Sequence, residues 1–198
     1  MTIVLASASP RRQELLRNAG IPFAVQPSHI NETPLAGELP RDCAERLARE
    51  KALEVFHSQP REFVLGADTI VVVDDTILGK PRDADDAARM LRMLSGRTHA
   101  VITGVSLVSA VASEAELERA ESREIKTTSA TTLVTMSELS DDEIRDYIAT
   151  GEPMDKAGAY AIQGLASRWI SRIEGDYSNV VGLPVALVYA MLRKRGAI

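Results

Sequence analysis

An aspartate stands in the most apolar stretch of the chain. Residues Phe63 to Val73 are apolar throughout except for Asp68 and Thr69. A carboxylate in such a strand is costly unless it meets a cation or a metal. Gly66 and Ala67 beside it leave room for close approach. Two roles fit: a structural ion pair, with Lys51 or Lys80 as partner, or a general base or metal ligand, for which buried acids are favoured candidates. A second group lies at Ser7-Ala8-Ser9-Pro10-Arg11-Arg12. Here two hydroxyls and two guanidinium groups coincide with a helix start, whose unpaired N–H groups and partial positive charge attract phosphate. Arginine matches phosphate oxygens with a two-pronged fork. Simple capping by Ser9 with solvated arginines is the plainer alternative. The turn lacks the glycines and the Gly-Lys-Ser/Thr ending of a Walker loop.

Lys51 falls on the apolar stripe defined by Cys43, Ala44, Leu47, Ala48, Ala52 and Val55. A lysine there either snorkels past the core edge or points into a polar cleft with an anion for partner. The last group is split between Gly79-Lys80-Pro81-Arg82 and the stretch from Asp155 to Gly164, which carries Lys156 and Gln163 among small residues. Gln163 offers both a donor and an acceptor, as reading a base edge requires. Either segment alone also reads as an ordinary loop. His29, His57 and His99 show no zinc spacing, and one cysteine, Cys43, excludes an intramolecular disulfide. Met90, Met93 and Met191 read as core filler, and Trp169 as a core or cleft-wall aromatic.

The elements that must hold these groups alternate between strand and helix. Ile3 to Ala6 reads as a buried strand. Ser9 then caps a helix with Pro10 in its first turn and Gly20 at its stop. Phe23 to Val25 is a second strand, and Gln26 to Leu39, with Pro27, Pro34 and Gly37, is a loop. Pro40 opens a helix to about Phe56. Phe63 to Val73 is a central strand, with Asp74-Asp75-Thr76 as a hairpin turn. Asp83 or Asp85 starts a helix ended by Gly96. Ala100 to Val108 and Lys126 to Met136 are strands, flanking an exposed insertion at Ala110 to Glu124. Ser140 and Glu143 form a capping box for a helix to Ile148. Gly151 to Gly164 is irregular, Trp169 to Ile173 a strand, and Pro184 opens the last helix. This order predicts an α/β or α+β layered fold.

The whole sequence sets limits on partners. With 198 residues, 45% hydrophobic and 26% charged, the chain is long enough for one domain with a sizeable core or two small lobes. A formal net charge of -5 argues against a nucleic acid polymer as ligand, though not against a small basic pocket for one phosphorylated molecule. No apolar run approaches membrane-spanning length, and the first residues lack a secretion signal, so a cytoplasmic location is expected.

Taken together, the segments Leu5 to Arg12, Leu65 to Thr69, Gly79 to Pro81, Leu94 to His99, Asp155 to Gly164 and Tyr177 to Pro184 resemble the Maf family of nucleoside triphosphate pyrophosphatases. Their order and spacing run nearly end to end, with only Ala110 to Glu124 unmatched. The resemblance implies a single Maf-like domain over residues 1–198. Its fold would be α/β, an elongated mixed-sheet fold of two lobes with a central cleft, similar to inosine triphosphatase-like proteins. It implies cleavage between the α- and β-phosphates, aided by a divalent metal, magnesium or manganese. The family's proton acceptor falls on Asp68. Its phosphate-binding turn falls on Ser7, Ser9, Arg11 and Arg12. Its other cleft residues fall on Glu32, Lys51, Lys80, Asp155 and Lys156, with Glu32 and Asp68 as the metal's oxygen ligands. Arg11, Thr69 and Gln163 match the selectivity positions of a subgroup acting on dTTP and UTP. A homodimer follows by the same analogy. Two rival expectations are a nucleotide-binding regulator of cell division that does not hydrolyse, and a pyrophosphatase preferring methylated GTP.

Overall fold

Alternating side chains decide how the first strands are buried. The computed structural model describes residues 3–60, 62–110 and 123–198. Strand β1 (Ile3–Leu5) pairs in parallel with β2 (Phe23–Val25) on one side and with β3 (Phe63–Val73) on the other. Ile3, Leu5, Phe63, Leu65 and Ala67 enter one core cluster, and Val4, Ala6 and Val64 another. Both faces are therefore buried, which is why these strands read as unbroken apolar runs. Helix α1 (Pro10–Asn18) lies between β1 and β2 in the chain, and α2 (Pro40–Ser58) between β2 and β3. The remaining elements are β4 (Thr76–Leu78), α3 (Ala84–Leu94), β5 (Thr98–Ala110), β6 (Arg123–Met136), α4 (Asp141–Ala149), β7 (Ile170–Glu174), α5 (Tyr177–Val181) and α6 (Val185–Lys194). Three short 3-10 turns, Glu152–Asp155, Ala157–Ala159 and Leu165–Trp169, precede β7. The sheet has seven strands in the order β2-β1-β3-β5-β6-β7, with β4 added to β3. The β3–β4 and β6–β7 pairs are antiparallel, so the sheet is mixed and the fold is α/β, as expected.

The chain divides into two compact units, Met1–Asp68 with Thr103–Ala130 and Gly182–Ile198, and Thr69–Ile102 with Thr131–Val181. In the first unit, α2 buries Cys43, Ala44, Leu47, Ala48, Lys51, Ala52, Val55 and Phe56. Two glycines let it approach the strands. A methyl at Gly66 would overlap the Ala48 carbonyl and lie 2.9 Å from the Ala52 methyl. One at Gly104 would overlap the Ala44 carbonyl. By strand alternation Asp68 shares the face of Val64 and Gly66, the face on which α2 packs.

The second unit packs α3 and α4 on a core that includes Val71, Leu78, Met90, Leu91, Val134, Tyr147 and Trp169. Asp83 caps α3, its Oδ1 accepting from the Asp86 N–H at 2.8 Å. Ser140 and Glu143 form the foreseen capping box. Asp74 and Asp75 adopt φ of 48° and 59°, the left-handed pair that a two-residue hairpin needs. Thr76, read as part of that turn, instead starts β4 and pairs with Val73. Three further corrections concern irregular stretches. Gly151 to Gly164 holds two 3-10 turns, Trp169 ends a third rather than opening β7, and α5 was not foreseen. Asn179 in α5 is fully buried and donates to the Val101 carbonyl and the Thr132 hydroxyl, both at 3.0 Å. Those long-range bonds, not a local pattern, fix this short helix. Residues 111–122 of the expected insertion lie outside the described residues, while Ala110, Arg123 and Glu124 belong to strands β5 and β6.

Candidate active site

Lys51 and Asp68 meet. The ammonium lies 2.6 Å from Asp68 Oδ1, and both side chains are buried, with residue exposures of 6% and 7%. Of the two outcomes open to a lysine on this stripe, the structure takes the buried one. Lys51 Nζ also lies 2.6 Å from Glu32 Oε1, whose side chain is half exposed. One cation thus draws two carboxylates to a single point, which offsets the cost of burying Lys51 and Asp68.

The turn after β1 supplies positive charge to the same unit. Ala6 N–H continues the β3 ladder to the Leu65 carbonyl at 2.8 Å, and Ser9 then adopts extended backbone as the cap of α1. Its hydroxyl accepts a long bond from the Arg12 N–H at 3.5 Å. The Arg12 side chain is aimed from two sides: Nη1 donates to Ser7 Oγ at 3.2 Å, and Nε to the Gly182 carbonyl at 2.8 Å. Ser7 is buried and also accepts from the Ser9 N–H at 3.2 Å. Burial lowers the Arg12 guanidinium below its ordinary value, while the Asp68 and Glu32 carboxylates act in the opposite direction and Arg11 adds to the lowering. Arg12 therefore senses both acids and its neighbouring arginine. Glu32 and Asp68 thus act on Arg12 and pair with Lys51, while Ser7 is tied to Arg12 by a hydrogen bond.

Glu32 reaches Lys51 because its loop is tied along α2. The His29 N–H donates to Glu54 at 2.7 Å, and Arg46 donates to the Thr33 carbonyl at 3.3 Å. Arg46 also grips Glu38 with two bonds, of 2.6 and 2.8 Å, and meets Glu50 at 3.2 Å. Arg46 holds the Glu38 carboxyl down at about 2. Arg46, Glu50 and Glu54 were not anticipated as functional supports. Their spacing of four suggests solvated helix-surface pairs, and nothing local names the loop they hold.

In the second unit the two halves of the split group adjoin. The Gly158 N–H donates to the Gly79 carbonyl at 3.0 Å, tying the Lys80 loop to the segment after Lys156. Gly158 has φ of 68°, and a methyl there would lie 2.9 Å from the Val71 side chain. Lys80 is exposed, and Thr69 is half-buried on β3. Lys156 donates to the Glu152 carbonyl at 3.0 Å and pairs with Asp155, so its ammonium already has local partners. Gln163 is exposed.

The residues fit a divalent metal in a specific way. Among the described residues no group of three or more His, Cys, Asp and Glu side chains could hold one unaided. Two carboxylates on one point are the donor set magnesium takes from protein when substrate phosphates and water complete its shell. Glu32 and Asp68, each 2.6 Å from Lys51 Nζ, are the two carboxylates that meet at this point.

Comparison with known proteins places this geometry in context. The family described as Maf-like protein matches residues 2–195. A dTTP/UTP pyrophosphatase of Koribacter versatilis (strain Ellin345) is 56% identical over 198 residues, covering 100% of this chain and 96% of the relative. One from Geobacter sp. (strain M21) is 51% identical over 197 residues, covering 100% and 97%. One from Geobacillus sp. (strain WCH70) is 45% identical over 194 residues, covering 98% of each.

Proposed function

The chain belongs to the Maf-like protein family, and on that premise we propose that it hydrolyses dTTP and UTP to the nucleoside monophosphate and pyrophosphate. The observation that carries this reading is the buried Asp68 held at 2.6 Å from Lys51 in a unit that also gathers Arg11, Arg12, Ser7 and Glu32. A triphosphate is strongly anionic, which accounts for cations gathered inside a protein of net charge -5.

Arg11, Arg12 and Lys51, with the hydroxyls of Ser7 and Ser9 and the N-terminus of α1, bind phosphoryl oxygens. Arg12 is preset for this by Ser7 and Gly182, so little reorganisation accompanies binding. Lys51 occupies Asp68 Oδ1, and Oδ2 is the oxygen to which a water donates its proton. That water attacks the α-phosphorus, the bond to the bridging oxygen breaks, and pyrophosphate leaves. Glu32 and Asp68 would hold magnesium or manganese, whose charge screens the phosphates and polarises the reacting phosphoryl group. Lys80 and Lys156 add further phosphate contacts. Arg11, Thr69 and Gln163 select the pyrimidine. The protein acts in the cytoplasm as one Maf-like domain, takes no nucleic acid polymer, and forms a homodimer. No helix among the described residues is long and apolar enough to cross a membrane.

A panel of triphosphates with magnesium, including CTP, GTP and methylated GTP, followed by pyrophosphate detection, tests the reading. Preferential release from dTTP and UTP supports it. Preference for methylated GTP contradicts the substrate, and no release from any nucleotide contradicts the activity.

A further inference from the structure

The segment that carries Gln163 is held at both ends by one hydrogen-bonded pair, the buried Tyr147 and the half-buried Glu152. The turn from Ala161 to Gly164 closes with the Gly164 N–H on the Ala161 carbonyl at 3.0 Å. On its near side, the Ala161 N–H donates to the Tyr147 hydroxyl at 3.2 Å. On its far side, the Leu165 N–H donates to the Glu152 carboxylate, at 3.0 Å to Oε1 and 3.2 Å to Oε2. Tyr147 and Glu152 are themselves joined, the hydroxyl donating to Oε1 at 2.8 Å.

Each partner is fixed in turn. Tyr147 is fully buried in α4, and its ring meets Trp169 edge-on at 5.4 Å. Burial, and then the Glu152 carboxylate, raise the phenol well above its ordinary value, so it remains a donor to Glu152. Glu152 donates its N–H to Thr150 Oγ1 at 3.2 Å and accepts from Lys156 through its carbonyl at 3.0 Å. A methyl at Gly164 would lie 2.5 Å from the Glu152 carboxyl carbon, so glycine is what lets the acid reach across the turn. The two flanks of Gln163 are thereby set by the side chains of Tyr147 and Glu152.

We propose that Tyr147 and Glu152 are positioning residues for base selection, clamping the Ala161–Leu165 turn so that the Gln163 carboxamide meets the pyrimidine edge in one orientation. This rests on the reading that Gln163 recognises the base. A hydrogen-bonding site discriminates between bases only while its donors and acceptors keep their places. Loosening the clamp therefore lowers selectivity without touching the phosphate chemistry.

The test compares kcat/KM for dTTP with that for CTP and GTP in Tyr147→Phe, which keeps the buried ring and deletes the hydroxyl. The expected result is a loss of about tenfold in the ratio, the scale of one buried hydrogen bond left unmade, arising in KM while kcat for dTTP stays near wild type. Combining it with Gln163→Ala adds little further loss, because both remove the same recognition. Glu152→Ala reproduces the loss and Glu152→Gln, which can still accept, largely restores the ratio. A wild-type ratio in folded Tyr147→Phe and Glu152→Ala overturns the proposal. Gln163→Ala alone separates the causes. If it lowers the ratio while the clamp variants do not, only the positioning role falls; if it too leaves the ratio unchanged, base reading by Gln163 falls with it.

Discussion

At the scale of single residues, burial of charge sets the terms. Lys51 and Asp68 each occupy positions that packing would give to an apolar side chain, and each is tolerated because the other is 2.6 Å away. Removing one partner leaves the other charged and desolvated, so Lys51→Met should cost about 3–5 kcal/mol of stability by urea unfolding. Restored stability in Lys51→Met/Asp68→Leu would show that this cost belongs to the orphaned acid. Both residues could be singled out in the sequence, because a charge on an apolar stripe or in an apolar strand needs an explanation. What the sequence left open was the partner. Asp68 had Lys51 or Lys80 as candidates, and only the packing of α2 decides for Lys51. Glu32 was placed by resemblance alone, since a glutamate in a Pro- and Gly-containing loop carries no local signal. Of the two supports of Arg12, Ser7 lies in the same turn, but Gly182 lies 170 positions away in the chain and carries no local signal.

At the scale of elements, two features hold α2 and its loop in register with the acids. The Gly66 and Gly104 contacts allow the helix to press against β3 and β5. Gly66→Ala should therefore destabilise by about 1–3 kcal/mol through overpacking, and should lower turnover by displacing Lys51 from Asp68. Thermal unfolding and dTTP kinetics of the same preparation check both effects. The second feature is the Arg46–Glu38 grip. Glu38 titrates at about 2 in the folded protein, below its ordinary carboxyl value, so its contribution is complete above about pH 4.5 and is lost as pH falls toward 2. Arg46→Ala should flatten that part of the stability–pH profile. It should also raise the metal concentration needed for half-maximal activity, because the Glu32 loop loses its anchor. Periodicity, with Pro40 opening α2 and side-chain caps starting α3 and α4, made these helices legible, with ends within about two residues. Helix α5 was not legible, because bonds such as Asn179 to Val101 fix it across a long stretch of chain.

At the scale of the whole molecule, the mixed sheet and its order agree with the α/β alternation visible in the sequence, and each unit has its own core. Acid stability draws on both units. In the second, His99 is buried against the Tyr160 hydroxyl at 2.8 Å, and burial lowers its titration to about 4. The unfolded chain takes up this proton near pH 6.5 and the folded chain does not until about 4. Stability should therefore fall as pH drops from about 6.5 to 4, for the most part before the Glu38 contribution starts to be lost. In His99→Gln that part of the slope should disappear, as denaturant titrations at a series of pH values would show. In the proposed reaction Asp68 serves a water that attacks the α-phosphorus. The most direct test of this step is hydrolysis of dTTP in heavy-oxygen water by the native protein and by Asp68→Asn. Label is expected in dTMP and not in pyrophosphate, with a loss of at least about 100-fold in kcat for the variant and dTTP binding retained. Label in the released pyrophosphate or phosphate, or an Asp68→Asn variant that turns over at the native rate, would contradict it.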